Sequence, residues 1–191
     1  MTIGIALGNG KSRKGLDVQH LRSYGPVAGC NRIYQEDEVD LLVSTDRSMA
    51  AEIQQSGYAK THEFWTRRPL PDSVARKLPR PTYGYSSGPA AIAQLCERGC
   101  KNIFFIGFDL GSSNKYVNNL YAGTAYYKTA SERPTYYGNW VKQLILISER
   151  WSNNIFYRVL GEHSTAYDFK RPNIIDTVSY THLTLPTILL V

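Results

Sequence analysis

The sequence predicts a single α/β domain with a mostly parallel central sheet and helices on both faces. Three observations carry this. Short apolar runs alternate with segments of helical character, the pattern of strands joined by crossover helices. Several of those runs are apolar throughout, as strands buried on both faces are. And 191 residues are enough for one full core, with little room for a second.

Each element follows from local chemistry. Ile3 to Leu7 is an apolar, β-branched run that ends at Gly8 and reads as the first strand. Pro26–Cys30, ending at Asn31, is the second, and Asp40–Thr45 the third. Asp46 then stands where it would cap a helix over Arg47–Gln55. Thr61–Thr66 is a fourth strand, followed by a proline-rich, basic connection from Arg67 to Pro81 that predicts a loop with a helical turn. Ser86-Ser87-Gly88-Pro89 supplies a cap and a first-turn proline for a helix through Arg98, which Gly99 stops. Ala91, Ile92, Leu95 and Cys96 share one face of it.

Asn102–Phe108 is the strongest strand in the chain, with Asp109 at its carboxyl end. Leu110 to Asn139 lacks a period and is crowded with Tyr, Asn, Ser and Gly, which predicts a lid-like loop. Trp140, Val141, Leu144, Ile145 and Trp151 mark the next helix, and Asn154–Leu160 is expected as the last strand. The sum is a Rossmann-like arrangement.

Composition narrows the function classes. The net charge is +6, yet the cations are scattered, with small clusters at Lys11–Lys14, Arg67–Arg68 and Arg76–Arg80 and no nucleic-acid motif beside them. A basic cleft for a phosphorylated ligand accounts for the charge, and nucleic acid is not an expected partner. The N-terminal apolar run is too short for a signal peptide, and no stretch reaches transmembrane length. Cys30, Cys96 and Cys100 are an odd count without framework spacing, which suits buried thiols in a reducing cytosol. With no well-spaced histidine, Cys96 and Cys100 do not make a zinc site.

From Thr177 the character changes. The segment TVSYTHLTLPTILLV has no charged residue, and Val178-Ser179-Tyr180-Thr181-His182-Leu183 resembles a translated transposon-end sequencing adapter. The natural domain is therefore expected to span residues 1–176 and to continue beyond Asp176, with 177–191 non-native and His182 set aside.

In a parallel sheet, ligands bind at the carboxyl ends of the strands. The polar residues expected there are Gly8, Asn9, Gly10 and Ser12 after the first strand, Asn31 after the second, Asp46 after the third and Asp109 after the fifth. Ser86, Ser87 and Gly88 join them at a helix N-terminus, where free N–H groups and the dipole favour an anion. Singly, each has a structural explanation as a turn or cap residue; together they predict one ligand crevice. The turn is not a P-loop, because Ile5 stands where that motif needs glycine, nor a dinucleotide fingerprint, because Arg13 takes the place of the third glycine.

Four motifs recur in one order: the GNG-x-S turn, Cys30 to Asp37 (CNRIYQED), the Ser86-Ser87-Gly88 helix start and the strand ending Gly107-Phe108-Asp109. Over roughly residues 1–160 they resemble the bacterial sialyltransferases of glycosyltransferase family 42. They are also similar to the related family that includes archaeal hydroxymethylpterin diphosphokinases. The resemblance implies a metal-independent, Rossmann-like transferase that binds CMP-sialic acid and no other cofactor. By it, Gly8, Asn9 and Gly10 meet the phosphate and ribose, Asn31 the nucleotide sugar, and Ser86, Ser87 and Gly88 the sugar or cytidine.

The departures from that family are chemical. Asp46 replaces an asparagine; Tyr116 matches one of two lid tyrosines, while the other falls on Gly111. The catalytic histidine falls near Tyr136-Tyr137-Gly138-Asn139, with Asn139 nearest, and asparagine is no general base. The acceptor arginine falls on Gly84. His20, His62 and His163 have no inferred partners. Three readings therefore stay open. One is a nucleotide-sugar transferase with Tyr116, Asp109, Asn139 or Asp46 in the catalytic roles and a glycan or small-molecule acceptor. The second is a Mg²⁺-dependent pyrophosphate-transfer enzyme using Asp46 and Asp109. The third is a nucleotide-binding protein without catalysis. A homo-oligomer is compatible with each.

Overall fold

A computed structural model describes residues 2–112 and 115–178. Among them, eight strands form one sheet: β1 (Ile3–Leu7), β2 (Val27–Cys30), β3 (Leu41–Ser44), β4 (Phe64–Thr66), β5 (Arg76–Lys77), β6 (Asn102–Ile106), β7 (Ile155–Leu160) and β8 (Ile174–Val178). Every pairing is parallel. The order across the sheet is β5-β4-β3-β2-β1-β6-β7-β8. The α-helices are α1 (Val18–Leu21), α2 (Arg47–Gln55), α3 (Ser87–Glu97) and α4 (Gly138–Arg150).

Strand parity builds two cores. Successive side chains point to opposite faces. Thus Ile5 and Leu7 of β1, Leu42 of β3 and Phe104 and Ile106 of β6 join Val18 and Leu21 of α1 and Met49 and Ile53 of α2. Ala6, Leu41, Val43, Ile103 and Phe105 face the other way, onto α3 and α4. Helix α3 lies across β1, β2 and β3, and its run from Ala90 to Cys96 is buried almost all round. Full burial of side chains such as Ile92 and Phe105 contributes about 1.5–3 kcal/mol each.

The order of strands explains where a crevice opens. From β1 to β5 the chain steps toward one edge; it then returns to place β6 on the other side of β1. The direction of winding reverses between β1 and β6, so their following loops part and leave a crevice at their carboxyl ends. Those loops begin at Gly8 and Gly107.

The structure also corrects the element list. The expected strand 61–66 is reduced to Phe64–Thr66, because residues 58–60 close a 3-10 turn. The basic connection holds a short edge strand, β5, whose two exposed cations gave no hydrophobic signal. Strand β7 is not the last: β8 pairs along its length, and its partly exposed pattern hides it from a search for apolar runs. Thr177 and Val178, set apart as tail, continue β8 opposite Val159 and Leu160. The rest of that segment, 179–191 with His182, lies outside the described residues. Gly99 ends α3 in a left-handed conformation, φ +86°, as expected of a helix-stop glycine. No helix among the described residues is long and apolar enough to cross a membrane.

Candidate functional site

The crevice at the switch point is a cleft of about 500 Å³, within the size range of small-ligand sites. It gathers Gly8, Asn9, Gly10, Asn31, Asp46, Ser86, Ser87, Gly88 and Asp109 into one lining. Three of the expected residues are elsewhere. Ser12 lies behind the wall, bonded to Asp109. Tyr116 is 52 % exposed, and Asn139 is an exposed residue in the first turn of α4; neither lines the cleft.

The glycines of the first turn have a structural cause. A Cβ on Gly8 would stand 2.4 Å from the Gly107 carbonyl oxygen, and one on Gly10 within 2.7 Å of the same atom. The Gly10 N–H donates to that carbonyl at 2.9 Å. So the loops after β1 and β6 pack backbone to backbone, and this close approach demands glycine before any ligand does. Likewise a Cβ on Gly88 would meet the Phe108 ring at 2.9 Å.

Asp109 is a strut, not a free catalytic group. Its side chain is buried, and its carboxylate accepts from the Ser12 N–H at 3.1 Å, from the Ser12 hydroxyl and from the Ser164 hydroxyl at 2.7 Å. This holds the β1 turn against the loop after β7. Ser87 is equally committed. Its hydroxyl accepts from the Thr45 N–H at 3.0 Å and donates to Asn31 Oδ1 at 2.9 Å, tying the ends of β2, β3 and α3 together. Asn31 sits in the left-handed region at φ +55°, which asparagine tolerates better than most residues. Asp46 holds the N-cap position of α2, but its side chain makes no capping bond. It lines the cleft as an exposed carboxylate.

Over these strand ends lies the irregular segment after β6, and it is docked by specific bonds. Leu120 N–H donates to Asn9 O at 2.8 Å, and Lys11 N–H to Asn118 Oδ1 at 2.9 Å. Asn118 in turn donates to the carbonyls of Gly111 and His163. Tyr127, which lines the cleft, accepts from Asn9 Nδ2 at 3.3 Å. Among the described residues its own hydroxyl donates no hydrogen bond. Burial pushes the Tyr127 phenol up from its ordinary value, ahead of the effect of nearby charges, so it stays protonated. It is therefore a hydrogen-bond donor held against the turn. Tyr126 and Lys128 flank it in the lining.

Sequence reasoning missed the residue that ties this assembly together. Arg13 is 4 % exposed. Its Nε donates to Gly8 O at 2.8 Å and its Nη2 to the Tyr121 hydroxyl at 2.9 Å, while Nη1 lies 3.9 Å from Asp37. Tyr121 passes the chain on to Glu36 at 3.0 Å. One guanidinium thus fixes the turn, the lid and the segment after β2. The sequence offered only a small basic cluster over residues 11–14, with Arg13 standing where a dinucleotide fingerprint would need glycine.

Among the described residues no histidine lines the cleft. His20 pairs with Tyr24, His62 stacks on Tyr58, and His163 enters only through its carbonyl. Cys30, on the cleft floor, donates weakly to Leu7 O. Burial pushes its thiol up to about 12, with Arg13 opposing and Asp46 adding to the shift. All three cysteines are free and buried, as expected. Iodoacetamide at pH 7.5 is therefore expected to leave Cys30 unmodified in the folded protein and to label it after denaturation. Rapid native labelling of Cys30, read by mass spectrometry, would contradict this placement.

Fold and cleft together define a Rossmann-like α/β protein with an open cleft at the switch point of its sheet. Comparison with family models, with curated proteins and with solved structures finds no match to this chain.

Proposed function

We propose that the cleft binds a nucleotide-linked sugar and that the protein is a metal-independent, sialyltransferase-like glycosyltransferase. The observation that carries this reading is the convergence of anion-binding backbone with an unspent phenol. The first turn of α3 leaves N–H groups of Ser87 and Gly88 without intrahelical partners, and they open on the same cleft as the Gly8–Gly10 turn and Tyr127. A phosphate held there would find donors already oriented. When an acceptor hydroxyl attacks the anomeric carbon, the phosphate leaves with the bonding electron pair. Donors aimed at its oxygens stabilise that charge without a metal. Tyr127 replaces Tyr116 in this role, and Asp46, the exposed carboxylate of the cleft, is the group to take the acceptor's proton. The pyrophosphate-transfer alternative is less well supported, because the Asp109 carboxylate is already spent on Ser12 and Ser164.

A thermal-shift panel tests it. CMP and CDP, without metal, should raise the melting temperature; at 100-fold over Kd the stabilisation is about 2.7 kcal/mol. Asn9→Ala removes the bond to Tyr127 and should weaken CMP binding about tenfold while leaving the ligand-free melting temperature within ~2 °C. Stabilisation by ATP only with Mg²⁺ would move the assignment to pyrophosphate transfer. No shift with any nucleotide would sink the nucleotide reading altogether.

A further inference from the structure

Arg67 follows directly on Thr66, the last residue of β4, and so stands in the same row of strand ends as Gly8, Asn31 and Asp46. It lines the cleft. Its Nη2 donates to the carbonyls of Gly84 and Tyr85, at 3.3 and 2.8 Å. Those two bonds fix the plane of the guanidinium. Its Nε is buried with no hydrogen-bond partner. Among the described residues no carboxylate pairs with Arg67, although Asp46 lines the same cleft.

The surroundings leave this charge uncompensated. Arg67, Arg68, Arg76, Lys77 and Arg80 all belong to the connection around β5, and among the described residues only Arg76 of these has an ion pair, with Glu63. Tyr83, two residues before Tyr85, shares the positive surroundings. A hydrogen bond from Arg68 holds its phenol below the ordinary value, and the charges of Lys77 and Arg67 add to that pull. Lys77 Nζ lies 6.0 Å over the Tyr83 ring. A guanidinium held by two carbonyls, in a field of like sign and facing a cleft, is a prepared anion site.

We infer that Arg67 forms a second anion subsite, separate from the phosphate donors at the β1 turn and the start of α3. The ligand set of the cleft then includes a carboxylate or phosphate outside the nucleotide phosphate. This rests on the nucleotide-sugar reading and adds to it the charge of the non-nucleotide part. The anionic group belongs either to the donor sugar or to the acceptor.

Calorimetric titration of the wild type and of Arg67→Gln separates these sources. Glutamine keeps a polar side chain and loses the charge. In the donor arm, CMP is compared with CMP-N-acetylneuraminate. In the acceptor arm, CMP-loaded protein is titrated with 3′-sialyllactose and with lactose. Arg67→Gln should weaken the acid-bearing probe of one arm about 10- to 100-fold and leave CMP affinity unchanged within twofold. Unchanged CMP affinity also reports that the variant is folded. If CMP binds both proteins alike and neither acid-bearing probe is weakened, the Arg67 subsite is wrong while the nucleotide reading stands. If CMP does not bind the wild type, both fall together.

Discussion

Asp176→Ala is expected to destabilise the protein by about 3–5 kcal/mol, the usual cost of leaving a buried charge without its partner. Arg158, on β7, has no exposed surface. Its Nε and Nη2 grip both oxygens of Asp176, on β8, at 2.8 and 2.5 Å. The guanidinium also donates to the carbonyls of Phe108 and Thr165 at 3.2 and 2.8 Å. Four of its N–H groups are thereby used, and the bond to Phe108 anchors the loop that forms one wall of the cleft. With Asp176 gone, two carbonyl dipoles are left to balance a full positive charge out of water. For a chain of this size the loss is a fall in melting temperature of roughly 6–20 °C, at about 2–4 °C per kcal/mol. Arg158→Met removes the charge itself and should cost less than Asp176→Ala. The double variant Arg158→Met with Asp176→Leu should recover most of the loss, since a buried ion pair is replaceable by well-packed apolar groups. Urea unfolding of the three variants decides this. Asp176→Ala within about 1 kcal/mol of the wild type would mean that the pair does not hold the edge of the sheet.

How much of this was legible in the sequence differs by residue. Strands β1, β3 and β6 were readable because both faces of each are buried, which forces an unbroken apolar run. Strands β5 and β8 were not, since edge strands need bury little: Arg76 and Lys77 are exposed, and Ile174 to Val178 is partly so. The convergence of turn, cap and strand-end residues on one cleft was readable because such residues carry position as well as chemistry. The roles within it were not. Nothing in the order of residues says that the Asp109 carboxylate is filled by Ser12 and Ser164, or that Tyr127 rather than Tyr116 reaches the cleft. Both depend on how a segment without periodicity folds back. Arg13 and Arg158 were missed for a shared reason: a buried arginine looks like a surface one until its carbonyl and carboxylate partners, distant in sequence, are in place. Arg67 was legible in principle, as the residue after a predicted strand, but it was absorbed into a basic loop.

Gly10→Ala should be the most damaging single methyl in the turn after β1. The Gly10 backbone, φ −68° and ψ 153°, is one that any residue adopts, so the demand for glycine is purely spatial. A Cβ there would stand 2.3 Å from Asp109 Oδ2 and 2.7 Å from the Gly107 carbonyl oxygen. Neither neighbour can yield without loss. The carboxylate is pinned by Ser12 and Ser164, and the carbonyl accepts the Gly10 N–H. Overpacking of this kind costs about 1–3 kcal/mol where side chains can move, and the upper end applies where, as here, the obstacles are a bonded carboxylate and backbone. Asp109→Ala alone should cost a similar amount, about 2–3 kcal/mol, through lost charge-assisted bonds to two serines. The two changes compete for one volume, so they should not add. Removing the carboxylate first takes away the nearer clash, and Gly10→Ala should then cost at least 1 kcal/mol less than it does in the wild type. A thermodynamic cycle on the four proteins measures that coupling. Strict additivity would show that the β1 turn does not rest on Asp109. Strong coupling, with CMP binding lost in every variant of the cycle, would place the same contact under both the fold and the site.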